Sequence, residues 1–120
     1  YPDDSQIITC GSDKKITYWD TIDAEEIRMM DGSLEGEINS LCISKTGETF
    51  ISAGEDRLIK VWDYEKGLCN YIGIGHSTTI NRCIISPNQE FIVSVGTDGS
   101  IFLWDMPVTL RCAKKDLNKP

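Results

Sequence analysis

The sequence predicts an all-β fold assembled from repeated units, and three observations carry that prediction. First, Trp19, Trp62 and Trp104 lie 43 and 42 residues apart, and each is followed by aspartate: Asp20, Asp63 and Asp105. Second, a hydroxyl residue stands ahead of each tryptophan, with an aspartate four positions on and the tryptophan six further. The sets are Thr9, Asp13, Trp19; Ser52, Asp56, Trp62; and Ser94, Asp98, Trp104, with Gly11, Gly54 and Gly96 two residues before the aspartates. Third, the stretches between alternate apolar and polar residues in short runs bounded by turn formers, which is the period of strands. A repeat of about 42 residues closing on Trp-Asp is the pattern of a β-propeller blade, four antiparallel strands packed radially around a channel.

Aligned on the tryptophans, 38–44 matches 80–86 at a constant offset of 42, and these segments are read as the innermost strands. Turns follow at Lys45-Thr46-Gly47-Glu48 and Pro87-Asn88-Gln89-Glu90, Gly47 being suited to positive φ and Pro87 fixing its own. Second strands are expected at 49–53 and 91–95, with 6–10 as the equivalent in the first unit. Asp13-Lys14, Asp56-Arg57 and Asp98-Gly99 make tight turns into third strands at 16–20, 58–63 and 100–105, which carry the tryptophans. Outer strands are expected at 26–30 and 68–72, and 25–30 is the one stretch with a helical alternative. A last outer strand at 108–112 is interrupted by Met106-Pro107, because proline cannot donate to a ladder. The units are then 1–34, a blade lacking its inner strand; 35–75, a complete blade; 76–112, a last blade; and 113–120, a polar tail.

A closed ring takes about 4–8 blades, more than 120 residues supply. The expectation is therefore a partial propeller, about two and three-quarter blades of a larger ring of about seven. It is a piece of a longer protein or closes a ring by assembly, since an open array would leave apolar faces wet. The first residue is Tyr1, which leaves room for a removed leader or an upstream domain.

A net charge of −7 argues against nucleic acid, whose binding rests on Lys and Arg neutralising phosphates. No apolar run approaches the length of a membrane-spanning helix, so no membrane partner is expected. Cys10, Cys42, Cys69, Cys83 and Cys112 are odd in number and show no C-x-x-C spacing. They are read as reduced core thiols of an intracellular protein.

His76, Ser94 and Asp98 lie within one unit and invite a hydrolase reading. It fails on repetition: the hydroxyl, aspartate and tryptophan recur three times while His76 occurs once, and catalysis needs one site where structure repeats. Ser94 also sits inside a strand-like run and not in a G-x-S-x-G elbow. The structural alternative is a chain of hydrogen bonds that gives each buried polar group a partner. Leu34 stands where a second histidine would align, so the middle network is expected to be incomplete or closed by water. Gly73-Ile74-Gly75 lacks the rest of a phosphate loop, and Asp31-Gly32-Ser33 with Glu35 and Glu37 lacks EF-hand spacing. Both are read as turns between blades. No catalytic residue, cofactor or metal is assigned.

These residues resemble the WD40-repeat family, which carries Gly-His at the repeat start and Trp-Asp at the end of the third strand. Gly75-His76 through Trp104-Asp105 matches in full, and the resemblance implies that His76, Ser94, Asp98 and Trp104 form the family's hydrogen-bonded tetrad. Thr9/Asp13/Trp19 and Ser52/Asp56/Trp62 match as partial tetrads without histidine. Lys15-Ile16-Thr17-Tyr18-Trp19, Lys60-Val61-Trp62-Asp63-Tyr64 and Ile72-Gly73-Ile74-Gly75-His76-Ser77 look more narrowly like the last repeats of a ciliary double-propeller WD-repeat family. That resemblance implies a non-catalytic scaffold of the cilium or flagellum axoneme. It would be a microtubule inner protein that stabilises doublet microtubules through tubulin and neighbouring lumenal proteins. The alternative is a generic cytosolic WD40 adaptor that binds peptide or protein partners in a multiprotein complex. In either case the expected partner contacts are loop-borne: Ser12, Glu55 and Thr97, each just before a turn aspartate, with Arg57 and Arg82.

Overall fold

The computed structural model describes residues 3–33 and 35–107. Its strands fall in chain order into three antiparallel meanders. The first comprises β1 (Gln6–Cys10), β2 (Lys15–Asp20) and β3 (Glu26–Asp31). The second comprises β4 (Ile38–Ile43), β5 (Thr49–Gly54), β6 (Leu58–Asp63) and β7 (Leu68–Ile74). The third comprises β8 (Ile80–Ile85), β9 (Phe91–Gly96) and β10 (Ile101–Asp105). There is no helix among the described residues, and 26–31 is strand. The all-β partial propeller holds. Among the described residues the first sheet has three strands and no inner one, and the expected outer strand at 108–112, with Cys112 and the 113–120 tail, lies outside the described residues.

Turn chemistry explains why the strands break where they do. Asp13, Asp56 and Asp98 each accept the amide two residues on, from Lys15 (3.0 Å), Leu58 (3.1 Å) and Ser100 (3.0 Å). An Asx turn of this kind holds the residue between in the left-handed region. Lys14 (φ 66°), Arg57 (φ 65°) and Gly99 (φ 85°) occupy that place. The aspartates after the tryptophans do similar work at the other end of the sheets. Asp20 accepts from Ile22 at 2.8 Å, and Asp63 from Lys66 at 2.8 Å. Gly47 (φ 78°) turns β4 into β5, and Gln89 (φ 60°) takes the same conformation between β8 and β9.

The register repeats along with the turns. A bulge interrupts β4 between Ile38 and Ser40 and β8 between Ile80 and Arg82. Another lies before the tryptophan in β2 (Tyr18/Trp19) and in β6 (Val61/Trp62). Such bulges increase local twist, which lets successive sheets fan out from one axis. One expectation needs correcting: Gly73 and Ile74 are the last residues of β7, not a turn.

Each junction between sheets encloses an apolar core. Ile16 and Tyr18 of the first sheet meet Ile38, Phe50, Trp62 and Tyr64 of the second. Tyr18 stacks on Tyr64 with ring centroids 4.3 Å apart and donates its hydroxyl to the Tyr64 carbonyl at 2.7 Å. Ile51, Ala53, Ile59 and Val61 on the opposite face of the second sheet meet Ile80, Cys83, Ile92 and Met106 of the third. The middle sheet is thus buried on both faces, and every residue of β5 is buried. The end sheets are covered on one face only. Ile101 and Leu103 of the third sheet stand 70% and 67% exposed, whereas the middle sheet's equivalents Ile59 and Val61 are 2% and 4% exposed.

Candidate functional site

The residues singled out by the sequence sit at the sheet ends and junctions, and the best-connected group is on the third sheet. Ser94 on β9, fully buried, accepts the indole N–H of Trp104 at 2.8 Å. Its hydroxyl lies 2.6 Å from His76 Nε2. The His76 ring rests on Phe102, centroids 4.2 Å apart, and is 7% exposed. Burial pushes its pKa below the ordinary value, with the Asp98 charge opposing. Asp98 is drawn elsewhere: its Oδ1 takes the Ser100 amide at 3.0 Å and hydroxyl at 2.6 Å, and it faces solvent. Those bonds hold its carboxyl below the usual range, with Thr78 adding a smaller effect in the same direction. The geometry thus joins His76, Ser94 and Trp104 and leaves Asp98 beside them, bonded into its own turn.

The middle sheet closes its network by a route the sequence reading did not find. Trp62 donates to Ser52 at 2.9 Å, both buried. Asp56 is paired with Lys60, Nζ to Oδ2 3.1 Å, and the same ammonium donates to the Gly32 carbonyl at 2.9 Å. Ser33 adds a hydroxyl 3.3 Å from Asp56. Lys60 is four residues after Asp56, and the tight turn folds it back onto the carboxylate. It therefore ties the loop entering this sheet to the turn, a tie expected to be missing or made by water. Leu34 lies outside the described residues. In the first sheet Trp19 donates to Thr9 at 2.9 Å on an open face, and Asp13 caps its turn.

Gly73 and Gly75 acquire a physical reason at the junction. A Cβ on Gly73 would meet the Trp104 ring at 2.9 Å, and one on Gly75 would meet Phe102 at 2.8 Å. The β7 backbone lies flat against these rings, so these glycines serve close packing and not phosphate binding.

Ser12, Glu55, Arg57 and Thr97 are exposed in the β1–β2, β5–β6 and β9–β10 turns, all at the end of the sheets where His76 lies. Glu55 also accepts the Glu37 amide at 2.6 Å, tying turn to loop. Arg82 is exposed at the β8 bulge, on an inner strand and apart from those turns. At the opposite end, between the first two sheets, a groove of about 570 Å³ is rimmed by Asp3, Glu48, Asp63 and Glu65. Arg28 stands in its wall, donating to the Glu65 carbonyl at 2.8 Å. The sequence reading missed this groove because its walls come from turns far apart in the chain.

Cys10, Cys42, Cys69 and Cys83 are free thiols in strands. Burial raises the pKa of Cys10 and Cys69 and pushes Cys83 up to about 12, so these sulfurs act as packing groups.

Three stretches, 1–20, 24–63 and 67–105, match the family described as WD domain, G-beta repeat. The chain belongs to the WD40-repeat family. Among curated WD40-repeat relatives it is 46% identical over 105 residues to cilia- and flagella-associated protein 52 of Chlamydomonas reinhardtii, covering 88% of this chain and 17% of that protein. The protein of the same name from Sus scrofa is 49% identical over 107 residues, covering 89% and 17%. That from Homo sapiens is 47% identical over 109 residues, covering 91% and 18%. The chain therefore spans under a fifth of the length of these relatives.

Proposed function

We propose that this WD40 segment is a non-catalytic scaffold within a ciliary protein, holding partners on the loops of a stiff array of blades. The observation that supports this most is similarity of 46–49% identity, over about nine-tenths of the chain, to proteins named cilia- and flagella-associated. The site geometry agrees with the non-catalytic part. The Ser94 oxygen accepts from an indole N–H and is fully buried, so it serves packing and has no path to a substrate. His76, Ser94 and Trp104 act as a structural set, with Asp98 as the turn that brackets them. The fixed elements are the interlocked sheets, and the variable ones are turns such as Ser12, Glu55, Arg57 and Thr97.

The finer reading is a microtubule inner protein that braces doublet microtubules by contacts with tubulin and lumenal neighbours. A chain of charge −7 would gain little from general attraction to acidic tubulin, so such contacts would rest on shape and specific pairs. The test is to tag the protein at its own locus in a ciliated cell and extract demembranated axonemes with increasing salt. Retention in doublets and cross-links to tubulin are expected. Recovery only in the soluble cytosol would overturn the ciliary assignment, and retention without tubulin cross-links would overturn the lumenal one.

A further inference from the structure

The two junctions between sheets are fastened by different chemistry. Where the chain passes from the first sheet to the second, the Lys60 ammonium clips Gly32 to Asp56. Where it passes from the second to the third, His76 fastens loop 75–79 to Ser94. We propose that the second of these is an acid-released latch, closed by neutral His76, while the lysine-clipped junction stays shut in mild acid.

The argument starts from hydrogen-bond direction. An indole N–H can only donate, so Ser94 Oγ accepts from Trp104 and has one proton of its own to place. In the proposed latch that proton goes to His76 Nε2, 2.6 Å away, with Nε2 as the acceptor. The closed latch thus has the neutral ring protonated on Nδ1. That atom is buried without a hydrogen-bond partner, as is Thr78 Oγ1. Both converge with Asp98 on Gly96, where an added Cβ would lie 3.1, 3.1 and 3.0 Å from His76 Nδ1, Thr78 Oγ1 and Asp98 Oδ1.

Protonation turns Nε2 into a donor. Two N–H groups would then point at Ser94 Oγ, and the Ser94 proton would lose its acceptor inside a fully buried site. A buried polar group left unpaired is costly, and the ring charge would be desolvated as well. The groups that face the ring are few. β9 presents Ser94 and Gly96, β10 presents Phe102 and Trp104, and the loop itself carries only Gly75, Ser77, Thr78 and Thr79. Asp98, in the β9–β10 turn, is the ionisable group whose charge reaches His76, and it is exposed and bonded to Ser100. Its compensation is screened by water.

Folding lowers the His76 pKa from 6.5, so the neutral form is favoured in the fold and the charged form outside it. The latch then contributes fully above pH 6.5, and its contribution is lost as pH falls below that value toward the folded pKa. Histidine is the side chain whose charge ordinarily changes between about pH 5 and 8, and the Lys60–Asp56 clip contains none.

The test is amide hydrogen exchange on the intact protein at about pH 7.5 and about pH 5, corrected for intrinsic rates. Protection at 75–79 and 94–98 should be lost in acid while protection at 32–33, 35–37 and 54–58 persists. His76→Gln, which keeps an acceptor for Ser94 but cannot titrate, should abolish the difference. Equal loss at both junctions, or loss that survives in H76Q, overturns the proposal. Should H76Q not fold, nitrogen NMR of the wild-type imidazole decides. An Nδ1–H tautomer titrating below pH 6.5 supports the latch, and an Nε2–H tautomer or a midpoint at or above 6.5 overturns it.

Discussion

Replacing Lys60 by methionine tests whether the middle sheet is closed by an ion pair. Methionine keeps the aliphatic stem, so the loss is confined to the ammonium. Lys60 and Asp56 side chains are 13% and 11% exposed, so the pair is largely screened from water without being fully buried. Removing one member of a buried pair destabilises by about 3–5 kcal/mol, because the other charge is left desolvated. Asp56 would keep the Leu58 amide at 3.1 Å and the Ser33 hydroxyl at 3.3 Å, which argues for the low end, about 3 kcal/mol. With a urea slope of about 2 kcal/mol/M, the midpoint should fall by about 1.5 M. Trp62 fluorescence is a suitable probe, since the indole is 6% exposed and bonded to Ser52. Asp56→Asn in the Lys60→Met background should restore part of the loss, because the amide oxygen still caps Leu58 and no charge is buried. A Lys60→Met midpoint within about 0.5 kcal/mol of wild type, or strict additivity in the double variant, would refute the ion-pair reasoning.

Gly73→Ala forces a methyl to 2.9 Å from the Trp104 ring and should destabilise by about 1–3 kcal/mol, read as a lower melting temperature; an unchanged value sinks the packing account. Ser94→Ala removes the acceptor of the Trp104 N–H and leaves the buried His76 ring and the half-buried indole unpaired, so a loss of about 1–3 kcal/mol by denaturant titration is expected, and a neutral result contradicts the network. Residues 1–120 purified alone should self-associate through the open face of the third sheet. Leu103→Lys with Ile101→Glu should shift sedimentation toward monomer, and a wild-type chain that already sediments as a compact monomer contradicts this.

The parts of the fold that could be read from the chain are those fixed by neighbours in sequence. Short apolar-rich runs at 49–53 and 58–63 bounded by turn formers report strands, and an aspartate two residues before an amide reports a turn, because both operate within a few residues. The Lys60 clip was hidden for a different reason. The repeat pattern puts a histidine in the loop, where Leu34 stands, while the cation came from the strand after the turn, where lysine is ordinarily a solvated residue. Gly73 was misread as a turn glycine because the ring that demands it, Trp104, belongs to another sheet 31 residues further along. The family resemblance grouped Asp98 with His76, and here local chemistry competes: the Ser100 amide and hydroxyl bond its oxygen.

The middle sheet explains what the outer faces are for. Phe50 and Trp62 on one face and Ile51, Ala53, Ile59 and Val61 on the other are all buried, each against a neighbour of the same repeat. Trp19 repeats the first face on the first sheet, and Ile101 with Leu103 repeats the second on the third sheet, here uncovered. Similar residue types in matching register suit these faces to the same kind of partner surface, a further blade. A partner chosen for function has to come to the turns instead. Both faces of a blade are committed to stacking, which leaves turns such as those of Ser12, Glu55 and Thr97, and the groove lined by Glu48 and Asp63, as the surfaces free to vary with the partner.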